Sequence, residues 1–190
     1  MAGHGHGAHG GSNKGTALLI AILALFLALA ETGAKAAQTE ALTRNIEAAN
    51  LWAFFQARTI RQTTVRTAAE QTALDLAAAD EASRAAMTRQ IDGWRESALR
   101  WESEPATGEG RRELSARARA AEQIRDRSMA AYHHYEVGSA AFQVAIVLAS
   151  AAIVTSVPLL IILSGVLGLA GVALTAIGFF APEAIHLFGH

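Results

Sequence analysis

The chain has 190 residues with 16 Lys plus Arg, 17 Asp plus Glu and no cysteine, for a net charge of -1. The missing cysteine excludes a disulfide framework, a thiolate metal site and a cysteine nucleophile. Near-zero charge, without a basic face carrying interleaved aromatics, leaves no footprint for nucleic acid. The charges are unevenly placed: apart from Lys14 and Glu183, every one lies between Glu31 and Glu136.

Residues 1–15, rich in Gly and His, cannot bury enough surface to offset ordering entropy and are expected to be a disordered tail. His4, His6 and His9 are candidate metal ligands there, since neutral imidazoles a few residues apart in a mobile chain can share one ion. The spacing is not that of a structural site, so a polar tail is the simpler reading. A first transmembrane helix is expected over 16–37. Its Ala28-Leu29-Ala30 also fits a signal-peptide cleavage site, but the single Lys14 before it is a weak basic region, and the helix is expected to be retained. Ala17, Ala21, Ala24, Ala28, Glu31 and Lys35 recur at four-three spacing, a small-residue stripe expected to face protein.

A helical, water-exposed domain is expected over 38–136, where Ala, Arg, Glu, Gln and Leu dominate without strand-like alternation. Leu42, Ile46, Ala49 and Ala53 share one coiled-coil-like face, and Met87, Ile91, Trp94, Ala98 and Trp101 another. Both are lean in large side chains and are expected to bury against each other and against neighbouring subunits. A straight rod from Gln38 to Glu102 would rise about 97 Å, whereas Arg111 to Glu136 descends only about 39 Å, so the path closes only with a further reversal. That reversal is expected at 77–83, with Asp80 or Ser83 capping a new helix, followed by a loop over 103–110.

Two more transmembrane helices are expected, over 137–157 and 158–181, with Pro158 at the start of the last, where its missing N–H costs little. Ala145, Ala149 and Ala152, with Phe142 and Ser156, repeat the small stripe in the second span. Ser164, Gly168, Gly171, Thr175 and Gly178 repeat it in the third. Residues 182–190 form a C-terminal tail. The fold class is therefore all-α, a membrane protein with three transmembrane helices and an inserted coiled-coil-like helical domain. Lys35, Arg44, Arg125 and Arg127 flank the spans on the domain side against Lys14 alone on the other, which places the domain in the cytoplasm by a narrow margin.

Glu31, Lys35, His133, His134 and Glu136 form a candidate ion or proton cluster at one membrane face, with Glu183, His186 and His190 following the third span on that face. The simpler reading is an intrahelical Glu31 to Lys35 pair and a wet interfacial ring. Trp52, Phe54 and Phe55 suit core or subunit contacts, and Arg58, Arg61 and Arg66 with Gln56 and Gln62 a solvated face or the seat of an acidic partner. No nucleophile and base arrangement, phosphate loop or metalloprotease motif occurs, and no cofactor or enzymatic activity is expected.

The run Asn50-Leu51-Trp52-Ala53-Phe54-Phe55-Gln56-Ala57-Arg58-Thr59-Ile60-Arg61, the His-rich start, Glu31 after the first span and the paired C-terminal spans resemble a bacterial family known as domain of unknown function 4337. The likeness runs from Thr16 onward. In that family the aromatic run usually ends in Lys, where this chain has Arg58, which keeps the charge. The resemblance implies a multi-pass bacterial inner-membrane protein and supplies no catalytic residues. Two functions are expected to compete. One is a non-enzymatic homo-oligomeric scaffold whose partners are the lipid bilayer, copies of itself and a protein bound through the helical domain. The other is a cation or proton conduit, or metal sensor, using the acidic and His cluster.

Overall fold

The computed structural model describes residues 10–184. Four helices account for most of them: α1 (Gly10–Asp75), α2 (Glu81–Glu102), α3 (Arg111–Thr155) and α4 (Pro158–Phe180). No strand occurs among the described residues. α1 begins at Gly10, inside the stretch expected to be a tail, because each residue added to an established helix gains one hydrogen bond. Neither α1 nor α3 breaks where the sequence passes from apolar to charged. The chain divides instead into two compact units, Met1–Leu42 with Asp126–His190, and Thr43–Arg125.

In the first, apolar unit, α1, α3 and α4 each contain a stretch long and apolar enough to cross a membrane. Only 11%, 28% and 17% of those three windows is buried by the protein. Leu18, Leu25, Val147, Val166 and Leu169 point outward, so much of this unit's large apolar surface is not covered by the chain's described residues. Leu23, Ala30, Phe142 and Ala145 make the core, with Phe26, Leu167 and Val172 packed around it. Phe26 and Phe142 stack at 6.0 Å. On α3 the buried positions Gly138, Phe142, Ala145, Ala149 and Ala152 follow four-three spacing, and on α4 so do Ser164, Gly168, Gly171 and Gly178, with Thr175 half-buried between them. A Cβ at Gly138 would stand 3.2 Å from the Gly171 carbonyl oxygen. These two backbones therefore touch, as small-residue stripes allow. The buried Ser164 hydroxyl donates to the Ala145 carbonyl at 2.8 Å, an interhelical hydrogen bond.

The first helix departs from expectation. Ala17, Ala21, Ala24 and Ala28 are exposed, as are Glu31 and Lys35, while Thr16, Leu23 and Ala30 are buried with Phe26 beside them. The packed stripe is rotated by one residue, about 100°. The reason lies on α4: a Cβ at Gly168 would meet the Leu23 Cδ2 at 2.6 Å. The glycine hollow takes a leucine knob, so small meets large and the Ala stripe is left outside.

α3 and α4 join through a hairpin in which Ser156 takes a left-handed conformation, φ 57°. Its N–H bonds to the Ala152 carbonyl, capping α3, and Pro158 opens α4 after Val157.

The second, polar unit contains residues 43–75 of α1, all of α2 and residues 111–125 of α3. Between α1 and α2 the chain reverses over residues 76–80, and the Asp80 carboxylate accepts from the Ser83 N–H at 2.7 Å as the cap of α2. The second loop turns on Gly108 at φ 69°. Glu113 fastens that loop, accepting from the Ser103 hydroxyl at 2.7 Å and the Glu104 N–H at 3.1 Å. Leu51, Leu114 and Ala118 form the apolar core, with Trp52 and Phe55 against it.

Candidate functional sites

The members of the candidate ion cluster have different surroundings in the structure. Glu31 and Lys35 are exposed on α1 and form no ion pair with each other. On α3, Glu136 stays local, accepting from the Tyr132 hydroxyl at 3.2 Å and lying 3.7 Å from His133 Nδ1. His134 turns the other way: it is 1% exposed, with Nε2 3.1 Å from the Pro182 carbonyl. A carbonyl only accepts, so Nε2 carries the proton. Nδ1 is left as a buried acceptor with no partner among the described residues. The approach depends on Gly178, where a Cβ would come 3.0 Å from that of His134 and 3.3 Å from the Ala131 carbonyl. His134 thus latches α3 to the turn after α4. Among the described residues no three His, Asp or Glu side chains converge on a metal-sized site. His4, His6, His9, His186 and His190 lie outside the described residues.

The aromatic run of α1 finds partners inside the polar unit. The Trp52 indole donates to Glu122 at 2.9 Å and packs edge-on to Phe55 at 5.4 Å. Above the Phe55 ring sits the Arg111 guanidinium, 4.9 Å from the centroid, in cation–π geometry. Arg58 pairs with Glu109 at 2.6 Å and reaches Glu104 at 4.0 Å. It therefore holds the loop of its own chain rather than standing on a solvated face.

Gln56 and Gln62, expected together on a solvated face or at the seat of an acidic partner, have different surroundings: Gln56 is exposed, and Gln62 is only 2% exposed. Its amide donates to the Ala98 carbonyl at 2.8 Å and to Glu102 at 3.1 Å. Arg111 in turn donates to the Gln62 amide oxygen at 2.7 Å and to Glu102 at 2.9 Å. One buried amide therefore ties all three helical segments. The signal was present in the spacing: Ala48, Leu51, Phe55, Arg58, Gln62 and Ala69 lie on one face, and a Gln on such a face must find partners when buried.

A different face of α1 finds no cover among the described residues. Ile46, Ala53, Ile60, Thr67 and Leu74 recur every seven residues and are all exposed, the three large ones by 62%, 67% and 79%. Leu42 and Ala49 are exposed as well. In contrast, Ile91 and Ala98 of the second expected seam are buried within the unit.

The model of the family described as a domain of unknown function (DUF4337) matches residues 12–181. No curated protein and no solved structure matches the chain. Since the match takes in all three apolar helices, the three reversals between helices and the aromatic run of α1, the chain belongs to the DUF4337 family.

Proposed function

We propose that this protein is a non-enzymatic, homo-oligomeric membrane scaffold of the bacterial inner membrane, with three helices in the bilayer and the polar unit on the cytoplasmic side as an interaction platform. The observation that carries the reading is the exposed seven-residue repeat of Ile46, Ala53, Ile60 and Leu74 in the unit that meets water. Burying one such Ile or Leu fully contributes about 1.5–3 kcal/mol, which a lone chain forgoes and an assembly of parallel copies gains. In the apolar unit, Ala17, Ala21, Ala24 and Ala28 offer a second uncovered stripe, of the kind that lets helices approach closely in lipid. Identical chains meeting along these faces form a closed ring or dimer.

The absence of cysteine allows a clean test. Ile46→Cys and Ile60→Cys, oxidised in native membranes, should each yield covalent oligomers, because a parallel seam sets equivalent residues against each other. Ala120→Cys, on an exposed face of α3, should stay monomeric. A folded species of strictly single-chain mass in mild detergent, with no cross-link at either seam position, would overturn the reading.

A further inference from the structure

In the apolar unit, α1, α3 and α4 enclose a groove of 670 Å³, within the size range of small-molecule sites. Its walls are apolar side chains such as Phe26, Leu29, Val172 and Phe179, and its one charged lining residue is Arg127, next to Ser128. Along the sequence, the groove straddles the change from uncharged to charged residues: the α4 wall lies in the stretch without charge and Arg127 in the charged one. The Arg127 side chain makes no ion pair or hydrogen bond with any described residue. An unpaired guanidinium at the mouth of an apolar groove calls for a ligand with a matching anion at one end and a hydrocarbon body.

We propose that this groove seats an anionic phospholipid of the surrounding bilayer. Its phosphate pairs with the Arg127 guanidinium, assisted by the Ser128 hydroxyl, and one acyl chain lies against Phe26, Leu29, Val172 and Phe179. Basic pockets between membrane helices on the charged side hold acidic headgroups in this manner. A second copy of the chain is the poorer occupant, because a two-fold contact through this groove would set two Arg127 side chains together. The Ala stripe of α1 also lies on other residues. The inference rests on the membrane placement proposed above and is independent of subunit number.

The full chain would be reconstituted into nanodiscs of equal parts phosphatidylcholine and phosphatidylglycerol, then extracted gently, and the retained lipids counted by native mass spectrometry. The wild type should retain phosphatidylglycerol in preference. Arg127→Gln should lower that preference by roughly fivefold, the equivalent of about 1 kcal/mol for one cation near an anionic surface. Arg127→Lys should keep part of it, and Arg119→Gln, an exposed arginine of the polar unit, all of it. Ala176→Trp, which fills the groove, should remove both lipids while helix content and melting stay unchanged. Equal retention by wild type and Arg127→Gln, or full retention by a folded Ala176→Trp, would overturn the lipid seat. So would a loss of oligomer mass in these two variants with lipid unaltered, since a second copy would then be the occupant. Failure to enter the nanodisc at all would instead remove the membrane placement.

Discussion

The apolar unit and the polar unit solve the same packing problem with opposite materials. In the first, glycine and alanine bring the helices into contact around Leu23 and Phe142, and the buried Ser164 hydroxyl donates across to the Ala145 carbonyl. In the second, Gln62, Glu102 and Arg111 form a hydrogen-bonded network across three helical segments, with Arg58, Trp52 and Glu113 around it. The contrast suits the surroundings proposed for each unit. In hydrocarbon, burying a leucine gains little, so close backbone contact and dispersion must hold the helices. In water the lean Ala seams contribute little hydrophobic stabilisation, and specific polar contacts position the helices instead.

The largest expected effect tests the first half of that contrast. A Cβ at Gly171 would stand 2.8–3.0 Å from three atoms of the Phe142 ring. Phe142 is itself fully buried between helices and has no room to retreat. Gly171→Leu should therefore cost about 3 kcal/mol, the upper end for overpacked cores, read as a lowered melting temperature in detergent. At Gly168 the obstacle is only the tip of Leu23, so the same change there should cost less. Ala173→Leu, on the exposed side of α4, should cost almost nothing. Equal losses at all three positions would mean that glycine contact does not hold the unit.

The second half is tested by Gln62→Leu, which keeps the bulk and removes the amide. The Ala98 carbonyl then loses a donor, and Arg111 and Glu102 lose the group between them. A buried polar group without its partner costs about 1–3 kcal/mol, so roughly 2 kcal/mol is expected. Trp52, Trp94 and Trp101 all lie in the polar unit and are the only three tryptophans. Their fluorescence in urea therefore reports this unit alone. Unchanged unfolding would show that the network is incidental to its stability.

How much of this was legible in the sequence differs between the units for the same physical reason. Packing by small residues leaves a plain trace, and the Ala145 and Gly168 stripes could be read directly from four-three spacing. On α1 the spacing marks an Ala stripe, but which face meets α4 within the chain is not written in α1 alone: the choice of Leu23 over Ala24 depends on the hollow that Gly168 presents from another helix. A cap at Asp80 or Ser83 was legible, since a short polar side chain before a helix can take up its first N–H groups, and the structure uses Asp80. The Gln62 network was not, because its partners stand 36 to 49 residues away along the chain. Nor were the partners of His133 and His134 legible: neighbours in sequence, they turn around the helix to Glu136 and to the Pro182 carbonyl.

The smallest expected effect separates the units by acid. Gln62 hydrogen bonding, reinforced by Arg111 and Arg112 against a desolvation penalty, holds the Glu102 carboxyl below its ordinary 4.5. The Ser103 hydroxyl, with the Glu104 N–H and Arg112, does the same for Glu113. A carboxyl whose pKa is lower folded than unfolded contributes stability that is complete above the unfolded value and fades as pH falls through the folded one. The polar unit should therefore keep its urea midpoint from neutral pH to about 5 and lose it progressively below 4.5. The loss should be modest, because both carboxyls lie near solvent, where screening reduces such contributions. Glu113→Gln should unfold at slightly lower urea at neutral pH and show a flatter acid slope, since one of the depressed groups no longer titrates. Both of these carboxyls lie in the polar unit, so the acid-dependent loss that they carry should be absent from the melting of the apolar unit in detergent. A midpoint for the polar unit that rises on acidification would reverse the sign and show that these carboxyls are held against their preferred protonation, not by it.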